Sequence, residues 1–174
     1  MTKISFFMGD FPGAVVYLYF SWKGESIMPE SKHEVIIDVP IEKVWDFVKE
    51  MDNWAPLLPG YINHEKLNEN QSSWTFRETV GVLKKKLSLL VTIKEWIEPS
   101  RVLFELDGIN ENLKGNGYFH AETVQINKTK MTGFLELTAE GALATVMNAV
   151  MKSSLPKSGQ KLTTAIAEEL ERGM

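Results

Sequence analysis

The chain contains no cysteine. Disulfide scaffolds, thiolate nucleophiles, iron–sulfur clusters and cysteine-held zinc are therefore excluded. Histidine is nearly as scarce. His33, His64 and His120 are the three, and no two of them stand at metal-ligand spacing. No metal and no cofactor is expected. Positive charge is not in excess either: the net charge is −4. A nucleic-acid binder needs a basic face to neutralise phosphates, so no nucleic-acid partner is expected. Two catalytic signatures are also missing. There is no Gly-x-Ser-x-Gly elbow, and Lys157-Ser158-Gly159-Gln160-Lys161 lacks the preceding glycine of a phosphate loop. What the chain does have is aromatic bulk: five Trp, nine Phe and four Tyr, enough to line a large interior. With 174 residues, 44% hydrophobic and 24% charged, it has the make-up of one ordinary globular domain. The missing cysteines are compatible with a reducing compartment, and a cytoplasmic location is expected.

The first 27 residues do not match the rest. Phe6, Phe7, Phe11 and the run Val15 to Phe20 are strongly apolar. As a signal peptide this stretch is interrupted by Asp10, Pro12 and Gly13, and no small-residue cleavage site follows. As a membrane anchor, the unbroken part from Phe11 to Trp22 is too short to span easily. The third reading is a misplaced translation start. Lys23-Gly24-Glu25 can be encoded by a purine-rich, ribosome-binding-like stretch just before Met28. The third reading is favoured, giving an extra segment over 1–27 and a domain over 28–174.

Within the domain the periodicity is plain. Glu34 to Val39 is a β-branched strand that Pro40 stops. Ile41, Val44, Trp45, Val48 and Met51 share one helical face. A short helical turn follows from Asn53 to Leu58, ended by Pro59-Gly60. Strands are expected over 61–67, 73–83, 87–97, 101–107, 113–127 and 130–140, with Lys84-Lys85-Lys86 in a hairpin turn. Their short joints imply antiparallel neighbours. The tail from Ala142 to Arg172 is helical, with an apolar stripe of Leu143, Val146, Met147, Val150 and Met151 resumed by Leu162, Ile166 and Leu170. Pro156 and Gly159 are expected to kink or break it. A sheet with one apolar face must cover that face, and this helix is the one element long enough to do so.

Four features together resemble a known family: the opening strand, proline and Val44-Trp45 helix; Leu57-Leu58-Pro59-Gly60 leading into a strand; Val80-Gly81 in mid-hairpin; and Gly141-Ala142-Leu143-Ala144 opening the last helix. Over residues 33 to 170 the chain resembles the START-like superfamily, also called SRPBCC or Bet v 1-like. Within it the chain is similar to the CoxG-like family of carbon monoxide dehydrogenase accessory proteins, whose usual start lies near Met28 here. The resemblance implies an α+β helix-grip fold, a curved antiparallel sheet wrapped around a long C-terminal helix. It also implies a cavity for a small hydrophobic ligand, lipid-like or quinone-like. Contact with a membrane surface or with a carbon monoxide dehydrogenase-like complex is implied as well.

By inward parity or stripe position, Trp74, Phe76, Leu89, Val91, Phe104, Phe119, Leu135, Leu137, Met147 and Met151 are expected to line that cavity. Glu78 shares the parity of Trp74 and Phe76, so regular alternation points it inward. A bulge ahead of Gly81 would turn it out instead. Inside, it would orient a ligand hydroxyl or act as a base. His120 sits with Tyr118 against Phe119 and Ala121, and parity alone does not choose its face. The main expectation is a non-enzymatic binding protein; the alternative is a polyketide cyclase or dehydratase using Glu78 or His120. Gly115-Asn116-Gly117 marks a bulge or close packing.

Overall fold

In the computed structural model, residues 28–80 and 83–173 are described. The N-terminal segment 1–27, and the reading of it as a misplaced start, lie outside them. Among the described residues, seven strands form one antiparallel sheet in the order β1-β7-β6-β5-β4-β3-β2. They are β1 (Glu30–Ile37), β2 (Tyr61–Lys66), β3 (Gln71–Val80), β4 (Leu83–Ile97), β5 (Arg101–Gly108), β6 (Leu113–Gln125) and β7 (Lys128–Ala139). Neighbours in sequence are neighbours in the sheet, except that β1 lies beside β7, pairing Glu30 with Glu136 and Ile37 with Thr129. Between β1 and β2 run α1 (Ile41–Val48), α2 (Met51–Trp54) and a 3₁₀ turn over Ala55–Leu57. The chain closes with α3 (Ala144–Arg172). The helix-grip architecture expected from the sequence is the one observed.

Two local expectations are corrected. The three lysines at 84–86 do not sit in a turn. They belong to β4, where Lys84, Lys85 and Lys86 pair with Thr79, Glu78 and Arg77. The tail helix is not broken: α3 runs 29 residues straight through Pro156. Pro156 and Lys152, the residue whose carbonyl loses its amide partner, are both on the outer side of the helix, and Lys152 is exposed. Water can satisfy that carbonyl, so the proline costs less than it would on the buried face. Gly159 is not a breaker either. A Cβ there would lie 2.1 Å from Ser31 Oγ, so the glycine lets α3 sit directly on β1.

Packing divides α3 into two halves. Its C-terminal turns bury Ile166, Ala167 and Leu170 against Ile37, Val39, Val44, Val48, Ala121 and Met131. Thr129, fully buried, donates its hydroxyl to the Val39 carbonyl at 2.7 Å and closes this end. The N-terminal turns present Met147, Met151 and Leu155 to a second cluster of Leu87, Leu89, Leu106, Leu113, Leu137 and Ala139. Asn148 holds that half down. Its Oδ1 accepts from the Ala139 amide at 2.7 Å and its Nδ2 donates to the Ala139 carbonyl at 3.1 Å. Leu143 and Val146, expected in the apolar stripe, are instead 62% and 61% exposed.

Candidate ligand-binding site

The concave face of the sheet and the N-terminal half of α3 do not meet everywhere. Between them lies a cavity of about 230 Å³. Strand alternation builds its floor. Trp74, Phe76 and Glu78 come from β3, and Leu89 and Val91 from β4. Phe104 of β5, Phe119 of β6, and Leu135 and Leu137 of β7 extend the same face. Met147 and Met151 of α3 form part of the roof. The structure thus brings together around one cavity the eleven residues expected to line it, Glu78 included.

Glu78 reaches this wall because β3 and β4 pair from Gln71 to Val80 without a register shift. The bulge that would turn it outward is absent from that pairing. His120 is a different case. It lies off the cavity wall, on the face shared with Tyr118. The Tyr118 ring stacks on Phe134 at 5.1 Å with the Arg101 guanidinium 5.7 Å from its centroid. His120 is therefore not available to chemistry inside the cavity. Gly115 and Gly117 mark close packing: a Cβ on Gly117 would meet the Phe104 ring at 2.5 Å, so the glycine lets that ring lie against the sheet.

Sequence reasoning missed several wall residues. Trp54, Leu58 and Pro59 come from the α2 segment and the turn after it, which fold over one end of the cavity. Trp96 enters because β4 carries a bulge between Ile93 and Glu95. The bulge shifts the parity, so Ile93 and Trp96 both line the cavity, and Trp96 packs edge-on to Trp45 at 5.9 Å. Ser154 and Ser158 follow Met147 and Met151 at helical spacing. That spacing is readable only for a helix that continues through Pro156.

The α2 segment is fastened from outside the cavity. His64 of β2, its side chain only 9% exposed, bonds Asp52 Oδ1 through Nε2 at 2.7 Å and the Tyr61 hydroxyl through Nδ1 at 2.9 Å. Lys66 adds ion pairs to Glu50 at 3.1 Å and to Asp52 at 3.3 Å. Hydrogen bonds from His64 and then Lys66 hold the Asp52 carboxyl below the usual carboxylate range. The Glu50 and Asp52 carboxylates hold Lys66 above the ordinary lysine value. Trp54 Nε1 donates to the Val48 carbonyl at 3.0 Å, fixing one indole of the wall. Trp74 Nε1 donates to Ser72 Oγ at 2.7 Å, so both indoles have satisfied N–H groups.

Among the described residues no group of three or more His, Asp or Glu could hold a metal ion. No helix of the described residues is long and apolar enough to cross a membrane.

A curved antiparallel sheet gripping one long helix over an apolar cavity is a START-like, helix-grip fold. A protein-family model matches residues 28–174, and the chain belongs to the family that model describes. The solved structures that share this fold include a START superfamily protein and aromatase/cyclases. A conserved protein from Geobacillus kaustophilus superposes with TM-score 0.72 at 12% identity, covering 83% of this chain and 96% of that one. A START superfamily protein from Mycobacterium smegmatis gives 0.61 at 12%, with 83% and 99% covered. The Zhui aromatase/cyclase from Streptomyces gives 0.58 at 14%, with 83% and 94% covered. Among curated proteins no sequence match is found.

Proposed function

We propose that this protein binds and carries a small hydrophobic molecule between the sheet and α3. The observation that supports this most is the wall itself. Apart from Glu78, Ser154 and Ser158, every described residue lining the cavity is aliphatic, aromatic, thioether, proline or glycine. Affinity would come from apolar burial, at about 25 cal/mol per Å² removed from water. The few polar groups would fix the ligand's orientation. The two methionines of the roof suit an irregular ligand, because an unbranched thioether adapts its shape.

Native mass spectrometry of freshly purified protein and titration with a fluorescent apolar probe test this directly. A co-purified ligand or saturable probe binding is expected, and Leu135→Trp, which fills the cavity, should weaken probe binding by about tenfold or more. Probe binding unchanged by that substitution would place the ligand elsewhere.

A cyclase or dehydratase reading has one observation in its favour: Glu78 at the cavity wall, in a fold shared with an aromatase/cyclase. On that reading Glu78 is the general base, and Glu78→Gln abolishes turnover while leaving apolar binding intact. The finer assignment, to a CoxG-like accessory protein of a carbon monoxide dehydrogenase, rests on the sequence resemblance. Gene neighbourhood tests it, and a gene distant from those of a molybdenum hydroxylase would count against it.

A further inference from the structure

The roof of the cavity carries two hydroxyls that the helix itself does not use. Inside a helix, a serine or threonine hydroxyl commonly donates back to a carbonyl three or four residues earlier. Two residues of α3 do so: Ser153 donates to the Val150 carbonyl at 2.8 Å, and Thr163 to the Gly159 carbonyl at 2.9 Å. Ser154 and Ser158 line the cavity instead, and their hydroxyls make no hydrogen bond to a described residue. Four residues apart, they lie one above the other on the same face, with Cβ atoms roughly 5–6 Å apart. The other side chains of that stripe are apolar: Met147, Val150, Met151, Leu155 and Leu162. A hydroxyl facing an apolar space is costly until something bonds it, and the occupant of the cavity is within reach. A ligand that donates would use the serine lone pairs and leave both protons unspent. A carbonyl oxygen between the two hydroxyls accepts both.

We propose that Ser154 and Ser158 form a polar subsite in the roof, and that the occupant is a carbonyl-bearing ring compound whose oxygen accepts from both hydroxyls. The cavity of about 230 Å³, below the roughly 300–1,000 Å³ of drug-sized pockets, suits one or two rings. The inference rests on the carrier reading above and adds to it where the polar end of the cargo sits.

Calorimetric titration with 2-acetylnaphthalene and 2-ethylnaphthalene, which differ by a carbonyl in place of a methylene, tests it. The comparison is between wild type and the Ser154→Ala/Ser158→Ala double variant. Alanine is the better helix former, so the variant keeps its fold. It should bind the acetyl compound about tenfold or more weakly, through two lost hydrogen bonds. The ethyl compound should stay within about threefold of wild type. Acetylnaphthalene that changes by less than about threefold, or that fails to bind a wild type which takes ethylnaphthalene, overturns the subsite and leaves the carrier reading standing. Equal weakening of both compounds also overturns it, since packing rather than hydrogen bonding would then be lost. If neither compound binds wild type, both readings fall. A further measurement needs no variant. Bound to wild type, the carbonyl stretch of acetylnaphthalene should lie at lower infrared frequency than in hexane, because accepting hydrogen bonds softens the bond. A hexane-like frequency would sink the subsite.

Discussion

The two halves of α3 face the same sheet and do opposite things. From Ile166 onward the helix is sunk into a close-packed core with Ile37, Val44 and Met131. From Met147 to Ser158 it bridges a cavity, and its wall residues there are only half-buried. Composition follows the division. The core half buries an isoleucine, an alanine and a leucine at 166, 167 and 170, while the bridging half adds two methionines and two serines to Val150 and Leu155. One helix thus supplies an anchor and a ceiling. The difference teaches that the ceiling need not stabilise the fold, provided the anchor does.

Substitution can break this contrast. Leu170→Ala is expected to cost about 2–5 kcal/mol, because it empties a filled site that can collapse only partly. Met151→Ala should cost about 1 kcal/mol or less, because it enlarges a space that is already open. Urea unfolding of both variants measures the gap, and equal losses would erase the distinction between the halves. Gly159→Ala probes the boundary between them. Alanine is the better helix former by about 1 kcal/mol, yet its Cβ collides with Ser31. A net loss of about 1–3 kcal/mol is therefore expected, partly recovered in combination with Ser31→Ala. A melting temperature that rises in the single variant would show that α3 does not rest on β1 there.

The smallest effect concerns the α2 segment, the other cover of the cavity. The native Asp52 carboxyl titrates below its unfolded value because His64 and Lys66 donate to it. Its contribution is complete above the ordinary carboxylate range and disappears as pH falls through the lowered native value. Asp52→Asn should therefore lower the melting temperature slightly at pH 6, and by less and less as the pH falls below the ordinary carboxylate range. A difference between the two proteins that persists unchanged to low pH would mean that the ion pairs of Asp52 are not its source.

Much of this is legible in the sequence, because strand alternation is a strict rule. Period two alone puts Trp74, Phe76, Glu78, Leu89 and Val91 on one face. The failures have local causes. The Ile93–Glu95 bulge reverses the parity for Trp96, and nothing in Ile93-Lys94-Glu95-Trp96 announces it. Three consecutive lysines suggest a turn, but the long β3–β4 pair extends beyond the sheet's apolar core, where lysines can stand in a strand. Pro156 suggests a break because a sequence does not reveal which side of the helix it occupies. The clasp of Asp52, Tyr61 and His64 is invisible, since its members come from two elements that meet only in the folded chain.

The pairing of β1 with β7 also sets a timetable for assembly. Ile37 must wait for Thr129 to exist before it has a partner. At a synthesis rate of roughly 5–20 residues per second, that delay is on the order of 5–20 s. Through it the nascent β1 is an unpaired strand, the kind of segment other chains can capture. Its charged positions, Lys32 and Glu34, stay outward in the finished sheet, bonded to each other at 2.8 Å. Before the sheet exists, the same two side chains keep the waiting strand soluble, and the last helix can settle on β1 only after β7 has claimed its edge.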